Sequence, residues 1–308
     1  MLNKSKNKLI LFIFFLSVLL VSGCEQNTDH KYVDFSEKIK TSPQDPFPEK
    51  TKTLRVAVSA MVSPKETYVY YEELLKFIGK QIGYKIVLIQ RKTYSEVNEL
   101  FPKRLIELAF VCSGPYVAGK QKYEFEGLAV PVVRGKPFYQ SYLIVQKNSS
   151  YNSLEDLRGK IFAFTDPNSN TGNLVPRYWL SQLNEIPSSF FDRTTYTYSH
   201  DNSILAVAKG LVDGAAIDGH KWEFFNAKNP YFTSKTRVIK KSDYYGSPPL
   251  VASSMLDVKL KLKIQEAILT MHNTLEGKTI LENLMVDRFE LIQDEWYTKI
   301  QTMYEKVR

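Results

Sequence analysis

At 308 residues and 44% hydrophobic content, the chain is long enough to form two lobes with separate packed cores. Its two cysteines exclude a disulfide framework. A formal net charge of +8, spread over residues such as Lys235, Arg237, Lys240 and Lys241, accompanies no nucleic-acid-binding motif and reads as solvated surface or a contact with an anionic membrane.

Lys4, Lys6 and Lys8 precede an apolar run from Leu9 to Val21, broken only by Ser17. A basic segment before so short a run predicts an export leader rather than a membrane span. Val21-Ser22-Gly23-Cys24 resembles a bacterial lipobox, whose small residues admit the signal peptidase and whose cysteine receives lipid. Residues 1–23 are then a lipoprotein signal peptide and Cys24 is the lipidation site. Lipidation leaves Cys112 without a partner, so stability has to come from packing. Residues 24–52 are polar, carry Pro43, Pro46 and Pro48, and read as a flexible tether.

Leu54 to Val58 is the first predicted strand, followed by a helix from about Thr67 to Ile82 with Gly83 as its stop. Lys85 to Gln90 is a second strand, Tyr94 to Leu100 starts a helix, and Leu105 to Val111 is a third strand. Cys112 to Tyr116 reads as the loop after it. This alternation predicts an α/β lobe with a largely parallel sheet, whose ligand loops lie beyond the carboxyl ends of the strands. Tyr139 to Gln146 is a further strand, and Asn152 to Leu157 a short helix.

Ile161 to Phe164 is an apolar run that reads as a buried strand, and Leu174 to Leu183 looks helical. Between them Asp166-Pro167-Asn168-Ser169-Asn170-Thr171-Gly172 forms a turn in which Ser169, Asn170 or Thr171 caps the helix. Free backbone N–H groups, hydroxyls and the positive end of the helix dipole together suit an anion; the same composition also makes an ordinary capped helix. A strand near Thr194 to Tyr198, a helix from Ser203 to Gly210 and strands at Gly214 to Asp218 and Thr236 to Ile239 complete a second α/β lobe. From Lys259 onward only helices are expected.

Asp166-Pro-Asn-Ser-Asn-Thr-Gly-Asn-Leu-Val-Pro176 is similar to the D-P-x-S-T-S-G-x-x-x-P motif of the phosphate-, phosphite- and phosphonate-binding proteins of ABC importers. Ser199-His200-Asp201 before Ala206 to Gly210, then Val212-Asp213-Gly214-Ala215, resemble further segments of that family in order and spacing. Lys92-Thr93-Tyr94 and Tyr139-Gln140-Ser141-Tyr142 resemble its two tyrosine-bearing segments. The likeness runs from about Leu54 to Ser254.

The resemblance implies a two-lobed periplasmic-binding-protein (type II) α/β fold with a ligand cleft between the lobes. The lobes would be residues 53–142 with 248–308, and residues 143–247. It also implies that Ser169, Asn170 and Thr171 hold the oxygens of a small phosphorus oxyanion, that His200 donates a further hydrogen bond, and that Tyr94 and Tyr139 close from the first lobe. The implied partner is an ABC permease in the membrane; the protein is taken as a monomer with no cofactor and no nucleic-acid partner. Asn170 departs from the motif, replacing a hydroxyl by a bulkier amide. Where relatives that bind aminoalkylphosphonates place carboxylates, this chain has His220 and Ser247, which favours phosphate, phosphite or a simple phosphonate.

Two other classes remain open: a lipoprotein that senses the anion for a signalling partner, and an enzyme on the same fold. Against the enzyme, no G-x-S-x-G, Walker or H-E-x-x-H pattern occurs, and His30, His200, His220 and His272 lack close metal spacing. Cys112 reads as buried and inert, and Trp222 as packing for the second lobe.

Overall fold

In the computed structural model, residues 52–120 and 122–307 are described; the expected signal peptide, Cys24 and most of the expected tether lie outside them. β1 (Thr53–Val58) leads to α1 (Pro64–Ile82), which has a proline in its first turn and stops at Gly83, with a left-handed φ of 72°. Next come β2 (Lys85–Ile89), α2 (Tyr94–Asn98), β3 (Leu108–Phe110), α3 (Ser113–Gly119) and β4 (Phe125–Val132). β5 (Phe138–Tyr139) then leads directly to β6 (Ser141–Gln146).

Beyond β6 lie β7 (Ile161–Phe164), α4 (Val175–Gln182), α5 (Pro187–Phe190), β8 (Arg193–Tyr196), α6 (His200–Ala208), β9 (Gly214–Asp218), α7 (Gly219–Lys228) and β10 (Thr236–Lys241). The chain returns through β11 (Tyr245–Gly246) to β12 (Leu250–Ser253). It ends with α8 (Val258–Thr270), α9 (Leu275–Leu284), β13 (Arg288–Glu290) and α10 (Thr298–Lys306).

The strands form two sheets of matching logic. The first has the order β13-β4-β12-β3-β1-β2 and the second β10-β6-β9-β7-β8. In each, one strand (β1, β7) pairs in parallel on both sides, because its neighbours are reached by crossover connections. The next strand (β12, β6) is antiparallel, because it arrives from the other lobe. β5 and β11 pair antiparallel between the two sheets, so the chain crosses between lobes on one short ribbon. Ser141 N–H to Ser242 Oγ (2.8 Å) and Gly219 N–H to Gln140 O (2.9 Å) tie the ribbon to the second sheet.

Several expectations need correction. The sheets are mixed rather than largely parallel, since β4, β12 and β13 all pair antiparallel. Tyr139 to Gln146 is not one strand: it breaks at Gln140, where the chain passes from ribbon to second sheet. Ser113-Gly114-Pro115 is not a loop but the first turn of α3, where proline's missing N–H costs nothing. The C-terminal region is not all helix: β13 forms there by pairing with Val130, Pro131 and Val132.

One cluster of buried side chains packs one face of the first sheet against α1, α8 and α9, and another covers a face of the second. The cores are not fully separate, however. A third cluster joins Ala57 and Val97 of the first lobe to Phe162 and Phe164 of the second, with Tyr297, Ile300 and Met303 from the C-terminal segment. Cys112 is buried, and Trp222 packs in the second lobe with its Nε1–H donating to Thr236 Oγ1 at 3.0 Å.

Candidate functional site

β7 delivers the chain to Thr165 and Asp166, both fully buried. Ser169 then stands in extended conformation and its Oγ accepts from Gly172 N–H at 3.0 Å, capping the turn. That turn, Asn170–Leu174, is wide: Leu174 N–H reaches back five residues to Ser169 O at 2.9 Å before α4 begins. A wide first turn spreads the N–H groups that have no intrahelical acceptor. Gly172 is obligatory here, because a Cβ would come within 2.4 Å of Thr165 Oγ1.

The first lobe meets this turn closely. Thr93 and Glu96 form a reciprocal capping box that fixes the start of α2. The N–H of Tyr94 then donates to Asp166 Oδ2 at 3.1 Å. At the start of α3, a Cβ on Gly114 would lie 2.7 Å from Asn168 O and 3.1 Å from Asn170 N, so only glycine admits this approach. Tyr139, at the end of β5, accepts from Asn170 Nδ2 at 3.1 Å. Ser141 Oγ donates to Thr171 O at 2.7 Å.

His200 opens α6, behind its cap Ser199. Its backbone N–H crosses to Met61 O at 3.1 Å. Its Nδ1 accepts from Asp218 N–H at 3.2 Å and lies 3.1 Å from Thr165 Oγ1. An accepting Nδ1 puts the ring proton on Nε2. Burial lowers the His200 pKa to about 4, so the ring is neutral at physiological pH.

The structure therefore gathers Tyr94, Tyr139, Ser169, Asn170, Thr171 and His200 in one cluster fed by both lobes, with none more than 1% exposed. Among the described residues, the buried side-chain atoms without a hydrogen-bond partner include Tyr94 OH, Thr171 Oγ1, Asn170 Oδ1, Ser59 Oγ and Ser247 Oγ. Burial raises both phenols well above their ordinary pKa, so each keeps its proton. Buried polar atoms left unpaired are costly, and several in one place mark a site built for another molecule.

Thr165, Asp166, Ser141 and Asp218 belong to this cluster as positioning groups that sequence reasoning did not single out. Asp166 was visible as a motif residue; Asp218 carried no signal beyond ending a strand. Burial raises the Asp166 pKa, while the N–H groups of Asn168 and Tyr94 donate to its carboxylate and oppose that rise. The lobes also touch outside the cluster: Ser63 N–H donates to Asp201 Oδ1 at 2.9 Å, and Arg134 pairs with Glu223 at 2.9 Å. Among the described residues, no group of three or more histidine, cysteine or acidic side chains could hold a metal ion.

Residues 56–297 match the family model described as ABC transporter, phosphonate, periplasmic substrate-binding protein. The chain is 28% identical over 241 residues to the phosphonates-binding periplasmic protein of Escherichia coli (strain K12), covering 77% of this chain and 71% of that one. It is 28% identical over 234 residues to the phosphate-import protein PhnD of Mycolicibacterium smegmatis, covering 72% and 71%. A solved binding protein component of an ABC phosphonate transporter from Pseudomonas aeruginosa superposes with a TM-score of 0.78 at 26% identity, covering 82% and 86%. The chain belongs to this family of extracytoplasmic ABC-transporter substrate-binding proteins, and its fold is the two-lobed α/β fold of that family.

Proposed function

We propose that this family member captures a phosphorus oxyanion (phosphate, phosphite or a simple phosphonate) in the cleft between its lobes and delivers it to an ABC permease. The lobes are residues 53–142 with 248–308, and 143–247. Cys24 carries the lipid that holds the protein at the extracytoplasmic face of the membrane, where it acts as a monomer.

The observation that carries this reading is the pair of unpartnered buried hydroxyls, Tyr94 OH from the first lobe and Thr171 Oγ1 from the second. An anion between them would take a donor from each lobe and so bind the closed arrangement better than an open one. Around it stand the Ser169 hydroxyl, the Nε2–H of neutral His200 and the start of the wide helical turn. Each is an uncharged donor that gains strength toward an anion, offsetting the cost of burying charge without a counter-ion. Exchanging the oxygen and nitrogen of the Asn170 amide keeps its link to Tyr139 and turns Nδ2 into a further donor.

Titration calorimetry of the purified protein with phosphate, phosphite, methylphosphonate and sulfate tests the reading. Saturable binding of a phosphorus anion, weakened by Thr171→Ala, is expected. Binding indifferent to Thr171→Ala would move the site elsewhere. Hydrolysis of any phosphonate or phosphate ester supplied would favour an enzyme instead.

A further inference from the structure

We infer that the outward face of α8 lies on an anionic lipid surface, through Met255, Val258 and Leu262 flanked by Lys259 and Lys263. The inference adds a second contact to the membrane placement proposed above, but it stands on the folded body alone.

α8 opens with Val258-Lys259-Leu260-Lys261-Leu262-Lys263, an alternation of period two on an element of period 3.6. Such a sequence cannot put all its apolar residues on one side of a helix. Leu260 packs against the first-lobe core, with Ile264, Ala267 and Ile268 buried beside it. Val258 and Leu262, one turn apart, are left on the outer side at 64% and 58% exposed. Met255, just before the helix, is 63% exposed. A single exposed apolar side chain is ordinary, but three along one helix line make a patch.

The charges around the patch are basic and unmatched. Lys259 and Lys263 are exposed and have no ion-pair partner among the described residues. Lys261 is taken by Glu126. Asp257 caps the helix, its Oδ1 accepting from Leu260 N–H at 2.9 Å, and Glu266 lies a turn beyond Leu262. On α1, by contrast, Lys76 meets Glu72 at 2.8 Å and Lys80 meets Glu276 at 2.8 Å, as on an ordinary solvated helix. Apolar side chains flanked by free lysines suit an anionic bilayer. The apolar groups enter the headgroup boundary while the ammonium groups reach the lipid phosphates.

The patch also starts where the chain from Cys24 joins the body. Ser253 ends β12, and its N–H donates to Glu107 O at 2.8 Å; Glu107 N–H donates in turn to Arg55 O at 2.9 Å. α8 therefore begins at the end of the first sheet where β1 begins, and β1 is entered from Lys52. Tyr94 and Gly114, which meet the anion turn, follow the opposite ends of β2 and β3. Contact through the start of α8 thus leaves the ligand end of the lobe free. A surface linked to its partner by a short chain acts at high effective concentration, so adsorption too weak to hold a free protein is enough.

Flotation with vesicles tests this. Residues 47–308 form one compact unit that holds all three side-chain clusters, so this body can be used without leader or lipid. Its partition to vesicles of equal parts phosphatidylglycerol and phosphatidylcholine should exceed that to phosphatidylcholine alone by about tenfold or more. High salt should remove the excess. Val258→Glu with Leu262→Glu, and separately Lys259→Glu with Lys263→Glu, should each abolish it. The melting temperature should stay unchanged, because none of the four side chains is buried.

Equal partition to the two vesicles, or an excess that both double variants retain, would overturn the assignment. So would binding seen only on vesicles that carry an ABC permease, which would give this face to a protein partner. None of these outcomes depends on anion binding or on labelling of Cys24.

Discussion

Asn170 Nδ2 donates to the Tyr139 hydroxyl at 3.1 Å, joining the wide helical turn of the second lobe to the ribbon on which the chain crosses between lobes. Tyr94, buried to the same degree, has a hydroxyl with no partner. Two tyrosines that the sequence presents alike are therefore in different energetic positions.

Tyr94→Phe removes an unpaired buried hydroxyl, so the ligand-free protein should melt at the same temperature or higher. Affinity for the anion should fall by about tenfold or more, the worth of one charge-assisted hydrogen bond. Tyr139→Phe should instead lower the melting temperature as well, because Asn170 loses its partner. Thermal unfolding with and without ligand separates the two.

Thr171→Ala and Ser169→Ala should each cost about 1.5–3 kcal/mol of binding, the worth of a hydrogen bond to a charged group. They differ in stability. Ser169 Oγ caps the turn through Gly172 N–H, so its loss should destabilise the ligand-free protein by about 0.5–2 kcal/mol. Thr171 Oγ1 has no partner to lose. Denaturant unfolding beside calorimetry reads both quantities.

Gly172→Ala should destabilise by about 1–3 kcal/mol, the usual cost of overpacking, because the added Cβ would sit 2.4 Å from Thr165 Oγ1. Thr165→Ser removes the Cγ2 methyl but keeps that oxygen and should restore little. Thr165→Ala removes the oxygen but keeps the Thr165 Cβ, which the new methyl would also meet at 2.4 Å, so it too should restore little; Thr165→Gly, which removes both, should restore part of the loss in a double-mutant cycle.

Stability should fall as pH drops from about 6.5 to about 4. In the folded protein burial lowers the His200 pKa to about 4, while an unfolded histidine takes up its proton near 6.5. In that window the unfolded state binds more protons, so its contribution is complete above 6.5 and lost as pH falls toward 4. The full span corresponds to about 3 kcal/mol. Unfolding at a series of pH values should show this slope, and His200→Gln should reduce it, leaving the smaller share of His220, whose pKa burial also lowers.

Cys24→Ala should abolish incorporation of labelled lipid into the expressed full chain. Continued labelling would place the anchor elsewhere.

The sequence made the cluster legible because its chemistry is local. Ser169, Asn170, Thr171 and Gly172 are contiguous, and a strand feeding a polar turn and a helix start has a recognisable composition. Tyr94 and Tyr139 were indistinguishable from the chain's other tyrosines and came from family resemblance alone. Asp218 escaped notice because its role is set by what packs against it: its N–H orients His200 and its carboxylate faces Lys221. β12 and β13 were missed for a related reason. Each is short, and each is a strand only because β3 or β4 presents an edge to it. The wide turn at Asn170–Leu174 could not be told from an ordinary helical start, since both use the same residues and differ in one hydrogen-bond register.

A thermal-shift series on the purified protein tests the central claim most directly, using phosphate, phosphite, methylphosphonate and sulfate with wild type and Thr171→Ala. At 100 times its dissociation constant, a ligand of the closed cleft adds about 2.7 kcal/mol of stability. At least one phosphorus anion, and not sulfate, should raise the melting temperature of wild type, with most of that rise lost in Thr171→Ala. No shift with any phosphorus anion, in protein purified free of bound ligand, would contradict it.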